Sequence, residues 1–216
     1  MKININKSRL SAAVILSAIA LSSPGQSQEA VRGRATILPC CLCVGGDATT
    51  INLSTGAAPW TVTAPSGPSG QGTVNASNVA WTTTVIPSAQ WISPVGNPTT
   101  IGDFKYDVSF DARKCIVPSV IVISGKFLAD NKGKVLVDGI PIGVSSLGTP
   151  NYGFLPGSLT PFSYTIPAGS SSGIHTVSLV ATNRGDATGI IVELSVTRKC
   201  KGNPKTGELG QGPRDD

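Results

Sequence analysis

The chain has 216 residues, of which 40% are hydrophobic and 13% charged, and its formal net charge is +5. This length suits one domain or two small ones, and the hydrophobic content excludes a chain too polar to bury a core. One histidine, His175, and three glutamates leave little equipment for acid–base catalysis. We therefore expect a protein that is not an enzyme and that carries no cofactor.

The N-terminus predicts a secretory signal peptide over residues 1–27. A basic start precedes an apolar run over 10–21, which is too short to span a bilayer. Cleavage after Ala20 or after Ser27 fits the small-residue exit, and we favour Ser27; an uncleaved anchor is the alternative. The mature chain would then be secreted, periplasmic or on the cell surface, with no transmembrane anchor.

Cleavage after Ser27 removes three basic residues and no acidic one, which leaves a net charge of +2. No basic patch with interleaved aromatic residues remains, so we expect no nucleic-acid partner. Residues 28–47 form a cysteine-containing N-terminal segment, and the glycine-rich polar tail 201–216 is expected to be disordered.

Alternating apolar and polar residues predict β-strands along the rest of the chain. Residues 56–77 are rich in Gly, Pro, Ser and Thr, which indicates a long loop or a loose hairpin. Tyr106, Val108 and Phe110 then alternate with polar neighbours, which predicts one buried and one wet face. Residues 120–123 are apolar on both faces, which predicts a central strand.

Three more strands follow. Residues 135–137 end at Asp138-Gly139, a strong signal for a two-residue hairpin. Residues 175–181 and 190–197 form the last two strands. The even positions from Ile190 to Val196 are expected to be buried, and the odd positions from Ile191 to Thr197 are expected to face solvent. Short strands at spacings near ten residues, without helices, predict a single all-β sandwich over 48–200.

Several phrases in this order resemble a β-sandwich module of exported bacterial proteins, many of which carry a PEP-type sorting signal. The module is similar to galactose-binding-like jelly rolls, such as the sugar-binding domain of family 2 glycoside hydrolases. The phrases are Ala80-Trp81, Ser88-Ala89-Gln90-Trp91-Ile92-Ser93-Pro94, Ser124-Gly125-Lys126-Phe127-Leu128-Ala129-Asp130-Asn131, Val135-Leu136-Val137-Asp138-Gly139 and Thr188-Gly189-Ile190-Ile191-Val192-Glu193-Leu194.

The resemblance implies a jelly-roll β-sandwich and a non-catalytic role in binding carbohydrate or another extracellular polymer. The partner would be an extracellular glycan or an envelope component. The alternative is a structural or adhesive protein of the envelope or matrix with no small ligand. Neither the ligand nor the oligomeric state follows from the sequence.

A sandwich of this class commonly brings its first and last strands together, which bears on the five cysteines. We expect Cys200 to bridge to one member of the cluster near residue 40, and Cys115 to bridge to a second member. A Cys115–Cys200 bridge is the competing arrangement. A metal site is disfavoured, because tetrahedral zinc sites need a second Cys or His pair. The cysteines are Cys40, Cys41, Cys43, Cys115 and Cys200.

Aromatic side chains are the candidate ligand contacts, because flat rings stack on sugars. Trp60, Trp81 and the loop residue Tyr152 are the residues that we assign to binding, whereas Trp91 is expected to pack in the core. The segment 169–173 matches G-x-S-x-G, but a strand follows it, whereas a hydrolase nucleophile needs a helix there. We therefore assign no catalytic residue.

Overall fold

The computed structural model of the chain describes residues 35–39, 48–65, 67, 69–74, 81, 86–95, 99–113, 119–145 and 154–200. The chain divides into residues 1–31 and residues 32–216, and all described residues belong to the second unit. The predicted signal peptide and the C-terminal tail lie outside the described residues. So do Tyr152 and every cysteine except Cys200, whose backbone alone is described.

Thirteen strands and two three-residue 3-10 turns, Pro156–Ser158 and Ala168–Ser170, make up the regular structure of the described residues. The expected all-β architecture is thus confirmed. The strands are β1 (Thr36–Leu38), β2 (Ala48–Asn52), β3 (Thr61–Thr63), β4 (Ser69–Gln71), β5 (Thr73–Val74), β6 (Ile92–Ser93), β7 (Gly102–Ala112), β8 (Ser119–Asp130), β9 (Lys132–Val137), β10 (Ile140–Ser145), β11 (Thr160–Ile166), β12 (Gly173–Asn183) and β13 (Gly189–Cys200).

These strands form two sheets. The seven-stranded sheet has the order β10-β9-β12-β7-β3-β4, and β1 adds to it by parallel pairing with β7. The six-stranded sheet has the order β11-β8-β13-β6-β5, and β2 pairs with the second half of β13. β1 lies within the N-terminal segment 28–47, whereas the sequence predicts that the sandwich begins at residue 48.

The main core lies between the inner faces of the two sheets. On β7 the side chains of Tyr106, Val108 and Phe110 are buried, as their alternation predicts, and Phe104 is buried with them. The even positions of β13 from 190 to 196 are buried in the same cluster, which confirms the second alternating pattern. The strand over 120–123 belongs to β8, which has β11 on one side and β13 on the other, so its central position is confirmed.

Turn chemistry and edge residues fix the remaining geometry. Asp138 and Gly139 adopt φ angles of 52° and 79° between β9 and β10, as a type I′ hairpin turn requires. The predicted loose hairpin over 56–77 contains the antiparallel pair β3 and β4. Pro141 and Pro161 lie on β10 and β11, which end their sheets, and proline removes a donor that a further strand would need.

Candidate functional site

Two of the tryptophans assigned to ligand binding are interior residues. Trp60 is 2% exposed, belongs to the main core and donates its Nε1–H to the Leu53 carbonyl at 3.0 Å. Trp81 is 5% exposed and stacks on Trp91, with ring centroids 4.7 Å apart. Neither Trp60 nor Trp81 offers a flat face to a sugar in this conformation, so burial gives each of them a packing role. The role of Tyr152 stays a prediction.

Trp81 and Trp91 form a second core on the outer side of the six-stranded sheet. They pack with Ile86 and Ala89 onto outer residues of β8 and β13, one of which is Ile191. The alternation of β13 predicts a wet face at Ile191, and that expectation is wrong. The segment around residues 86–91 covers this end of the sheet, and nothing in the local pattern of β13 signals such a cover.

Asp130 is the buried carboxylate of this second core. Its Oδ2 accepts a hydrogen bond from Trp81 Nε1 at 2.8 Å, and its backbone carbonyl accepts one from the Thr188 hydroxyl at 2.7 Å. Burial raises the pKa of Asp130 to about 6; the Trp81 hydrogen bond opposes this rise and the negative charge of Asp186 adds to it. Because Asp130 is only 5% exposed, it faces protein rather than a substrate.

A contact between a histidine and an aspartate lies at the start of β12. His175 Nδ1 is 2.8 Å from Asp138 Oδ2, and the Thr176 backbone N–H donates to Asp138 Oδ1 at 2.9 Å. His175 faces inward, is 7% exposed and contacts the Phe110 ring at 5.4 Å. The hairpin aspartate thus ties the turn to β12 and holds the histidine ring.

The G-x-S-x-G segment has no arrangement suited to a nucleophile. The Ser171 hydroxyl lies 2.9 Å from the carbonyl oxygens of both Ser119 and Ala168, which occupy its single proton. A catalytic serine instead needs a base held against it. Within the described part of the chain, no group of three or more His, Cys, Asp or Glu side chains is placed to hold a metal ion. No helix among the described residues is long and apolar enough to cross a membrane.

The outer face of the seven-stranded sheet is charged around Asp103 and Asp107. The Ser178 hydroxyl donates to Asp107 at 2.5 Å, and the Thr182 hydroxyl donates to Asp103 at 2.6 Å. Lys105 also forms an ion pair with Asp107 at 3.0 Å. Carboxylates therefore accept hydrogen bonds from the Ser178 and Thr182 hydroxyls on this part of the face.

The outer face of the six-stranded sheet has a different character away from the second core. Four adjacent strands, β11, β8, β13 and β2, bring two rows of side chains into register there. We call these eight residues the hydroxyl strip, and seven of them are Ser, Thr or Asn. One row is Ser163, Ser124, Ser195 and Asn52; the other is Thr165, Val122, Thr197 and Thr50.

The hydroxyl strip faces solvent and contains no charged residue. Its members are exposed on the outer strands and half-buried in the two central ones. Among the described residues of these four strands, the solvent-exposed charges on this face lie beyond it: Lys126 and Glu193 pair at 3.6 Å on the side of the second core, and Lys199 is exposed on the other side. This surface is not predicted by the sequence analysis, because the residues of the strip come from four segments that only strand register brings together.

No protein-family model matches the chain, and no curated protein matches it. Among solved structures, it is similar to an FMN-binding beta-glucuronidase from Facaelibacterium prausnitzii L2-6, with 15% identity and a TM-score of 0.39. It is also similar to a GH2 beta-galacturonidase from Eisenbergiella tayi bound to galacturonate, with 19% identity and a TM-score of 0.33. A cyclase from Fischerella sp. TAU has 8% identity and a TM-score of 0.31.

The extent of these alignments differs. The first two similarities cover 69% of this chain, which spans 22% of the glucuronidase and 25% of the galacturonidase. The third covers 74% of this chain and 77% of the cyclase. Similarities at these TM-scores carry no inference about ligand or activity.

Proposed function

We propose that the protein is a non-catalytic module that binds an extracellular carbohydrate polymer. The observation that carries this proposal is the hydroxyl strip, a solvent-facing sheet surface made of uncharged hydrogen-bonding groups. Each Ser or Thr hydroxyl donates one hydrogen bond and accepts two, as the hydroxyls of a sugar do. An open sheet face also suits an extended polymer better than a small molecule, which needs a concave pocket.

The absence of catalysis is part of the proposal. Glycoside hydrolysis needs two carboxyl groups on either side of the scissile bond. Asp130 is the carboxyl whose pKa is raised among the described residues, and it lies under the tryptophan pair. Tyr106, whose pKa burial raises above its usual range, is likewise interior. These positions favour structural roles for both groups.

The finer fold that we propose is a galactose-binding-like jelly roll. Its support is the antiparallel pairing of strands far apart in the sequence, β2 with β13 and β7 with β12. Greek-key connections, from which jelly rolls are built, pair distant strands in this way.

Export and disulfide bonding complete the proposal. Ala48 at the start of β2 lies opposite Lys199, so the chain enters the sheet beside the end of β13. This register supports a bridge from Cys200 to one cysteine of the 40–43 cluster. Mass spectrometry of the exported protein tests cleavage after Ser27, and peptide mapping without reduction tests the bridge.

The competing bridge, Cys115 to Cys200, also has a structural argument. Cys200 lies opposite Ser119 in the ladder between β8 and β13, and Cys115 precedes Ser119 by four residues. A linked fragment containing Cys115 and Cys200 would refute the pairing that we propose. A fragment linking Cys200 to the cluster would refute the alternative.

A structural or adhesive role without a small ligand is the second candidate function. Its support is apolar exposure on the opposite sheet, where Ile37 and Ile174 flank Asp111 in register and are 41% and 70% exposed. Exposed apolar groups on a sheet face favour contact with another protein.

Affinity electrophoresis of the purified mature protein through gels containing soluble polysaccharides separates the two functions. Retarded migration in at least one polysaccharide gel is the expected result, with bovine serum albumin as the non-binding reference. Unretarded migration in every gel, together with no signal on a glycan array, would refute the carbohydrate-binding proposal and leave the structural role.

A further inference from the structure

We propose that the hydroxyl strip is the binding surface and that its ligand is an uncharged polysaccharide lying across the strands. This inference rests on the proposed function and adds to it the surface, the direction and the charge of the ligand. It starts from the regular spacing of the strip. Adjacent strands lie about 4.8 Å apart, so each four-residue row extends about 14 Å across the sheet. The two rows run parallel and are separated by two residues along each strand, which is about 7 Å.

The hydrogen-bonding capacity of the strip is largely unused. Within the described part of the chain, Thr50 and Thr197 bond each other at 2.9 Å, and Asn52 Oδ1 accepts from Ser54. Among the same residues, no hydrogen bond involves the side chains of Ser163, Ser124 and Ser195, which form an unbroken line across three strands. Such a line offers donors and acceptors at regular steps, which matches a chain of hydroxylated rings.

The charge of the strip selects among polymers. Anionic polymers such as polyuronates, nucleic acids or teichoic acids need Lys or Arg at the contact, and the strip has neither. Two cations flank the strip on this face of the sheet: Lys126, which is paired with Glu193, and Lys199, which is exposed two residues beyond Thr197. Val122 lies in the middle of the second row and offers an apolar contact to the C–H face of a sugar ring. An uncharged polyol chain is the ligand that meets all these features.

The opposite sheet supplies a matched control within the same molecule. Ser109 and Thr176 lie on neighbouring strands of the seven-stranded sheet, and their hydroxyls bond each other at 2.9 Å. They have the same side-chain chemistry as the strip, but lie in a face where carboxylates occupy the neighbouring hydroxyls. Replacing them with alanine therefore removes as many hydroxyl groups without touching the strip.

The experiment compares the double variant Ser124→Ala/Ser195→Ala with the control Ser109→Ala/Thr176→Ala. Affinity electrophoresis is run in gels of xyloglucan, galactomannan and mixed-linkage glucan, and in gels of polygalacturonate and hyaluronate. Loss of two hydrogen bonds is expected to weaken binding to a neutral polysaccharide about tenfold. The control should stay within about twofold of the unmodified protein, since its hydroxyls lie outside the strip.

A third variant covers the case in which the alanine pair alters folding. Ser163 is exposed on the outermost strand, so Ser163→Glu introduces a charge at the end of the strip without disturbing the core. It should weaken binding while the circular dichroism spectrum and Tm stay unchanged. A strip variant that binds as tightly as the unmodified protein, or a control that loses as much affinity, would overturn the inference.

The outcomes separate this inference from the proposed function. If the protein binds a neutral polysaccharide and the strip substitutions do not change the affinity, the proposed function is retained and the surface assignment is overturned. Preference for the two anionic polymers overturns the charge assignment in the same way. Binding to no polysaccharide at all overturns the proposed function and this inference together.

Discussion

Replacement of Asp130 by asparagine should make the protein more stable at neutral pH. Burial raises the pKa of this carboxyl from 3.8 to about 6 in the folded protein. Between these two values the folded protein binds more protons than the unfolded chain, so stability falls as the pH rises from about 4 to about 6. Above that window the full cost of the buried charge is present.

The size of this cost follows from the difference between the two pKa values. About 2.2 pH units at 1.36 kcal/mol per unit give about 3 kcal/mol as an upper bound. Relaxation of the protein around the buried charge reduces the expected effect to about 1–2 kcal/mol. Asparagine keeps an oxygen acceptor for Trp81 Nε1 and removes the titration, so Asp130→Asn should recover that amount at pH 7 and little at pH 4.

Urea denaturation followed by far-ultraviolet circular dichroism at pH 4, 5, 6 and 7 measures the effect. Asp111→Asn is the matched control, because Asp111 lies on the outer face of the seven-stranded sheet, remote from the tryptophan pair. The control should keep the decline in the unfolding free energy with pH that Asp130→Asn removes. A flat profile for the unmodified protein, or an unchanged decline in Asp130→Asn, would show that Asp130 does not carry this pH dependence.

Two further positions, Gly189 and Asp138, are tested by urea denaturation and by Tm, each with a control variant. A Cβ added at Gly189 would lie 2.6 Å from the Trp81 ring, so Gly189→Ala should lower the free energy of unfolding by about 1–3 kcal/mol. The control Gly157→Ala adds a Cβ with nothing within 4 Å and should change stability by less than about 0.5 kcal/mol. Equal effects would contradict the close packing at Gly189. Asp138→Ala removes the His175 contact and places alanine at a φ of 52°, so the free energy of unfolding should fall by about 2–3 kcal/mol. Asp138→Asn should lower it less, because asparagine tolerates that φ. Equal losses would contradict the role of the backbone conformation at this turn.

The sequence predicts strands where one face is buried and the other is wet. Tyr106, Val108 and Phe110 show this alternation, and the Asp138-Gly139 turn follows from its own preference for positive φ. Both signals are local, because period-two burial and turn conformation depend on neighbouring residues. The same locality explains the error at Ile191, which a distant loop segment covers.

The candidate site depends on register, and a single sequence does not specify register between distant strands. Ser124 and Ser195 are separated by 71 positions in the sequence but are direct partners across two central strands. Each serine by itself is an ordinary residue of a wet face. The burial of Trp81 is unpredictable from the sequence for a related reason: its hydrogen-bond partner, Asp130, lies 49 residues away in the sequence.

Chemical-shift mapping by NMR of the mature protein, titrated with a neutral oligosaccharide from the most tightly bound polymer, locates the binding surface residue by residue. We expect the perturbed amides to cluster on the hydroxyl strip, at Ser124, Ser163, Thr165, Ser195 and Thr197, and the outer face of the seven-stranded sheet to stay unchanged. Perturbations centred on the seven-stranded sheet, or on the exposed loop residues Val95 and Ile101, would contradict this expectation.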